Sequence, residues 1–271
     1  MIDIFFVGPQ KSATTWLYTL VKSSPDVFVT ERKELGDLAR TSLEQYEYDA
    51  YLELFSGADD TQLAADFSPN YLHSPLALKR IKDLNPNAKI VIVLRNPIER
   101  MVSHIMHSIR REALSIEQLR AISTDDKHFR QSCYFDAAKG YIDEFGFSNV
   151  LFISFNDIKN NPHFVASKIF DFIGKQSFNL SIPKQVGKGY EPKYRVVESV
   201  KQFFYKRMIK NRIGQQFINL SRRSSLPRLY KTWNNKSRGE RDVVLQFCEF
   251  HFGDALNQDF ERLRAELNRY G

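Results

Sequence analysis

Apolar residues follow two rhythms along this chain. Ile2 to Val7, Val27 to Thr30, Lys89 to Leu94 and Val150 to Phe155 are short, largely apolar runs, as expected of strands buried on both faces of a parallel sheet. Between them apolar residues recur every three or four positions: Trp16, Leu17, Leu20 and Val21, stopped by Ser24-Pro25; Tyr134 to Phe145; and Phe164 to Ile173, closed by Gly174. The stretch opening at Pro97 is the clearest helix. Ile98, Met101, Val102, Ile105, Met106 and Ile109 form one apolar stripe, and Arg100, Ser103, His107 and Arg111 are assigned to the opposite, polar side. This alternation predicts an α/β fold with a P-loop-like central parallel sheet, helices on both faces, and a ligand at the carboxyl ends of the strands. Beyond Pro183 the sequence turns basic and mostly helical, ending in a helix from about Asp242 to Asn268. The expected organisation is a single domain over 1–271, with a core at about 2–183 and a basic helical C-terminal region at 184–271.

With 271 residues, 42% of them apolar, the chain can fill a sizeable core. The run before Gly8 is too short and lacks the basic flank of a signal peptide, and no other run is long enough to span a bilayer. A cytoplasmic protein is therefore expected, with peripheral membrane contact left open; its two cysteines, Cys133 and Cys248, read as reduced thiols. A net charge of +7 points to an anionic partner, and the excess is local: from Lys184 to Arg241 there are 16 Lys or Arg against Glu191, Glu198 and Glu240. Charge alone does not choose between a nucleotide, a sulfated or phosphorylated molecule, nucleic acid and a membrane surface. No feature of the sequence reads out oligomeric state.

The chemistry concentrates in three motifs. Gly8-Pro9-Gln10-Lys11-Ser12-Ala13-Thr14-Thr15 joins a strand to a helix N-terminus through a loop with a lysine and hydroxyls. Backbone N–H groups there face an anion, the helix dipole favours it, and Lys11, Thr14 and Thr15 add charge and donors. It is a poor Walker A loop, because the lysine comes three residues after Gly8 and precedes both threonines. The second motif, Arg95-Asn96-Pro97 running to Ser103, follows a strand directly; an arginine fork suits a dianionic phosphate. The third is Asp66-Phe67-Ser68-Pro69-Asn70-Tyr71.

In these motifs the chain resembles the sulfotransferases that use 3′-phosphoadenosine 5′-phosphosulfate (PAPS), in particular the heparan-type and related bacterial carbohydrate branch. The resemblance covers about residues 2–190. It implies that Lys11 touches the 5′-phosphate and the transferring sulfuryl group, and that the loop from Ser12 through Ala13, Thr14 and Thr15 to Trp16 holds the 5′-phosphate. It further implies that Arg95 and Ser103 hold the 3′-phosphate and that Asp66, where the relatives usually have glutamate, is the base on the acceptor hydroxyl. His107 is the other candidate base, ahead of His104, since histidine titrates near neutrality. Lys33-Glu34 and Tyr71 are expected at the acceptor, and Lys188 in a glycine-rich loop over the nucleotide. Ala13 departs from the family's usual glycine, which a negative φ would accommodate. The implied reaction is in-line transfer of a sulfuryl group to an acceptor hydroxyl on a glycan or glycolipid, releasing 3′-phosphoadenosine 5′-phosphate (PAP). No Cys or His cluster has metal-ligand spacing, so no metal is expected.

Two other readings use the same features. A P-loop kinase or nucleoside triphosphatase shares the architecture and would use Asp157 to hold a metal, but the lysine is misplaced for it. A nucleic-acid-binding protein would use the basic segment with Phe203, Phe204, Tyr205 and Tyr230 as stacking surfaces, but no known module matches there. The carboxylate motif favours a carbohydrate acceptor and no nucleic acid.

Overall fold

The computed structural model describes residues 1–111, 113–176, 180–183 and 239–270. Residues 1–187 with 244–271 form one compact unit; residues 188–243 form a second, of which only 239–243 are described. The expected lid at Lys188 and nearly all of the basic segment lie outside the described residues.

Five strands pair in parallel: β1 (Ile4–Gly8), β2 (Val27–Val29), β3 (Leu63–Phe67), β4 (Lys89–Leu94) and β5 (Val150–Ser154), in the order β2-β3-β1-β4-β5. The chain runs from β1 outwards to β2, returns through β3 to the neighbouring position, then crosses to β4 on the other side of β1. Loops leaving β1 and β4 therefore open a crevice at the carboxyl edge of the sheet. The register sets Phe5 beside Asp66 and Phe6 beside Phe67, whose rings stack at 3.9 Å.

Strand alternation divides the core in two. On one face Phe5, Val7, Ala64, Ile90 and Ile92 pack against α2 (Gln45–Glu53), α3 (Pro75–Leu84) and α6 (Phe135–Phe145). On the other, Ile4, Phe6, Ala65, Phe67, Val91 and Val93 pack against α1 (Thr14–Lys22) and α8 (Pro162–Phe172). Helix α4 (Pro97–Arg110) starts at Pro97, with Asn96 capping it by accepting from the Glu99 N–H. Its apolar stripe falls where the sequence puts it, and Met101, Ile105 and Ile109 cluster with Val244, Cys248, Phe252 and Leu256 of α9 (Gly239–Leu267). The short helices α5 (Lys127–Arg130) and α7 (Phe155–Asn160) complete the described set. No helix among the described residues is long and apolar enough to cross a membrane.

Arg100 departs from its assignment to the polar face of α4: it is fully buried. Its Nε donates to Ser132 Oγ at 3.0 Å, and one Nη meets His104 Nδ1 at 3.0 Å and the His128 carbonyl at 3.1 Å. His128 is itself held between Ser108 Oγ at 2.8 Å and Asp126 at 2.5 Å. His104 is therefore a buried acceptor for a guanidinium, not a candidate base, and burial with the nearby Arg100 charge lowers its pKa to about 2.

That network sets a pH dependence of stability. An imidazole whose folded pKa lies below its unfolded value of about 6.5 is neutral in both states above that pH, and below it only the unfolded chain takes the proton. Stability is thus expected to fall as pH drops below about 6.5, with His104 contributing at most about 1.4 kcal/mol per pH unit. Replacing His104 by Asn should flatten the dependence of the urea midpoint on pH between 6.5 and 4.5; an unchanged slope would contradict the buried neutral histidine.

Candidate functional site

At the end of β1 the chain turns sharply into α1. Gly8 has φ 117°, and a Cβ there would lie 2.3 Å from the Pro69 carbonyl oxygen, so only glycine allows the loop to lie against residues 68–70. Lys11 and Ala13 both sit in the left-handed region, at φ 70° and 61°. The negative φ expected at Ala13 is thus not what the chain adopts: the loop takes the glycine-like conformation with an alanine in it, at a cost of about 1 kcal/mol. Ala13 is the residue before the first turn of α1, and no side chain caps that turn, which leaves its amides facing the crevice.

Three contacts tie the loop to the rest of the crevice. Arg95 donates from Nη1 to the Lys11 carbonyl at 2.7 Å, lies 4.5 Å from the centre of the Phe155 ring and comes within 3.4 Å of Glu99. Lys33 donates to Thr15 Oγ1 at 2.7 Å and pairs with Glu34 at 2.9 Å. Trp16 is buried and donates its indole N–H to the Pro183 carbonyl at 2.8 Å, so its ring serves packing and only its backbone faces the loop. Ser12 is likewise buried, and its Oγ has no protein partner.

Ser103 and His107 lie one turn apart on the half-buried side of α4, with Arg110 following. Lys11 has its pKa lowered to about 8, first by burial and then by Arg110, with Arg111 and Arg100 acting in the same direction and Glu34 opposing them. The His107 pKa is lowered to about 4, by burial and then by Lys11, Arg111 and Arg110, again opposed by Glu34. Lys11, Glu34, His107, Arg110 and Arg111 therefore share one electrostatic neighbourhood. Glu34 is half exposed and, at φ 62°, joins Lys11 and Ala13 in the left-handed region, so among the described residues every non-glycine residue of that conformation lies at this crevice. Beside it opens a groove of about 480 Å³ lined by Gln10, Arg32, Glu34, Gly36, Pro69 and Asn70, among others.

Asp66 is not in the crevice. It points from β3 into the core and is 1% exposed. One oxygen accepts from Tyr51 at 2.7 Å and the other from Ser68 at 2.6 Å. Burial raises its pKa to about 6, against the effect of these donors. Tyr71, expected at the acceptor, is fully buried with it. Both corrections have one cause: Ala64 and Asp66 occupy the strand face that packs on α2, α3 and α6. Arg110 is the residue that sequence reasoning passed over, and its place three positions after His107 was the available signal; Arg111, read on the polar side of the helix, joins it here from the C-cap of α4. Asp157, which a kinase reading would use, lies in the first turn of α7 instead of at a strand end. Among the described residues no group of three or more His, Cys, Asp or Glu could hold a metal ion.

Residues 1–221 match the sulfotransferase domain. Relatives include the bifunctional heparan sulfate N-deacetylase/N-sulfotransferase 1 of Caenorhabditis elegans, 24% identical over 65% of this chain and 22% of that protein. Human heparan sulfate glucosamine 3-O-sulfotransferase 6 is 25% identical over 62% of this chain and 51% of that protein. The matched regions thus span about a fifth to a half of these curated relatives. Among solved structures, a sulfotransferase from Alicyclobacillus acidocaldarius aligns with a TM-score of 0.59 and 26% identity, over 75% of this chain and 91% of that one.

Because Ala13 occupies a backbone conformation that glycine adopts freely, Ala13→Gly is expected to leave stability unchanged or raise it by up to about 1 kcal/mol, as read from urea unfolding. Gly8→Ala should cost at least about 2 kcal/mol in the same measurement, since its Cβ meets backbone and not a flexible side chain. The reverse order would contradict the loop geometry.

Proposed function

The chain belongs to the sulfotransferase domain family, and from that membership we propose that it transfers a sulfuryl group from PAPS to a hydroxyl of a carbohydrate or glycolipid, with Glu34 as the base. The observation that carries this reading is the meeting of Lys11, Glu34 and His107 at an uncapped helix N-terminus. A bound PAPS supplies an activated sulfuryl group whose leaving group is a phosphate oxygen. The chain's own part is to bind, align and neutralise charge.

Lys11 and the first amides of α1 hold the 5′-phosphate, and the ammonium stabilises the oxygen that leaves. A lysine with a pKa of about 8 is mostly protonated at neutral pH, and a neighbouring dianion holds the proton more firmly. Arg95 and Ser103 take the 3′-phosphate; because Arg95 also donates to the Lys11 carbonyl, it links that phosphate to the transfer end. Glu34 is the half-exposed carboxylate beside Lys11 and the groove, which suits it to take the acceptor proton. As the acceptor oxygen bonds to sulfur, the bond from sulfur to the phosphate oxygen breaks and the hydroxyl proton passes to Glu34. His107, held neutral, accepts or donates a hydrogen bond at the acceptor rather than serving as base. Donors and acceptors of both signs line the groove, in keeping with a polyhydroxylated molecule, and the basic segment at 184–241 suits an acidic one.

Transfer of radiolabelled sulfate from PAPS to glycan acceptors, desulfated heparan first, tests the assignment. Glu34→Gln is expected to lower kcat by about 100-fold or more while PAP affinity stays within a few-fold. Lys11→Ala should lose both. Wild-type turnover in Glu34→Gln would overturn the base assignment.

A further inference from the structure

The turn that carries Glu34 is held to the sheet by three hydrogen bonds. Glu34 N–H donates to the Phe67 carbonyl at 3.0 Å, Gly36 N–H to Ser68 Oγ at 3.1 Å and Leu38 N–H to the Tyr71 hydroxyl at 3.2 Å. Two of these three acceptors are side-chain hydroxyls, and a hydroxyl can rotate. What fixes the Ser68 hydroxyl is Asp66, since Ser68 gives its proton to one carboxylate oxygen at 2.6 Å. With its proton committed, the Ser68 hydroxyl presents a lone pair to the turn and is a stronger acceptor for it. The fit is tight, since a Cβ at Gly36 would come within 3.1 Å of the Asn70 amide nitrogen.

We propose that Asp66 is a positioning residue for sulfuryl transfer: its buried carboxylate aligns the Ser68 hydroxyl so that it clamps the turn at Gly36 and, with Tyr71 bonded at Leu38, holds Glu34 beside Lys11. This rests on Glu34 being the base. A carboxylate is the group the task requires, because it only accepts. An amide in its place would offer N–H donors to the Ser68 hydroxyl, turn its proton toward the turn and set it against the Gly36 amide. The other donor, Tyr51 at 2.7 Å, supplies an internal control: it satisfies Asp66, and no hydrogen bond joins its hydroxyl to residues 34–38.

The comparison is therefore among Ser68→Ala, Tyr71→Phe and Tyr51→Phe, with Asp66→Asn added and Glu34→Gln as reference. Each of the first three removes one buried hydroxyl at this carboxylate or this turn, so a purely structural role predicts similar losses throughout. The proposal predicts that Ser68→Ala, Tyr71→Phe and Asp66→Asn speed amide exchange at Gly36 or Leu38 on the order of tenfold, and that Tyr51→Phe does not. A second readout is the alkaline midpoint of PAP binding, which reports Lys11. That ammonium is faced by Arg110 and Arg100 from α4, by Arg111 at its C-cap and by Glu34 from the turn, and Glu34 is the one of these that raises its pKa. Glu34→Gln should move the midpoint down, and Ser68→Ala and Tyr71→Phe should move it the same way by less, with Tyr51→Phe leaving it in place. If Glu34→Gln leaves the midpoint where it was, Glu34 is not beside Lys11 and the base reading fails. If Glu34→Gln moves it while Ser68→Ala and Tyr71→Phe behave like Tyr51→Phe, the positioning role alone is overturned. Should Asp66→Asn fail to fold, the single-hydroxyl variants still decide.

Discussion

Where β1 leaves the sheet, Gly8 lies so close to Pro69 that no side chain fits between them. That contact sets residues 68–70 against the start of the phosphate loop, while the same segment meets the turn at Gly36 from its other side. The loop that would hold the donor and the turn that would hold the base are thus built on one short stretch of backbone following β3. Parallel pairing of β3 with β1 brings this about, since it delivers both strand ends to the same edge of the sheet. The elements farther out, α4 with its stripe packed on α9 and Arg95 at the end of β4, close the crevice from the other side.

Positive charge is the second constraint. Lys11, Arg110 and Arg111 face one another across the crevice with Glu34 opposing them, and Arg100 lies buried behind with histidine, serine and a carbonyl as its hydrogen-bond partners. Like charges gathered in partly desolvated surroundings weaken the folded state. An anion bound at the head of α1 would offset that repulsion, so ligand binding and stability should be coupled through these residues. The lowered Lys11 pKa and the neutral His107 are two expressions of the same field.

How much of this was legible in the sequence depended on distance along the chain. The phosphate loop and the segment from Arg95 to Ser103 each lie within ten residues, so a strand, a turn and a helix start could be read from local pattern. Strand β3 was not read, because Leu63-Ala-Ala-Asp-Phe has a charge where a buried strand should have none. Without that strand no alternation says which way Asp66 points, and its role as the base rests on the family resemblance alone. Its partners lie on α2 and in the loop after β3, and only the fold unites them. Arg100 went the same way: its place on α4 was ambiguous by period alone, and the groups that bury it, Ser132 and His128, arrive about thirty residues later. The strain at Ala13 and Glu34 is a matter of backbone angles, which neither residue type announces.

A crevice with a lysine loop at one end and Arg95 and Ser103 at the other suits a nucleotide with phosphates at both its 3′ and 5′ positions, held without the metal a triphosphate site uses. Calorimetric titration of the protein with PAP, and separately with ATP and magnesium, tests it most directly. Selective, metal-independent binding of PAP is the predicted result; binding of magnesium ATP in preference to PAP would contradict the account.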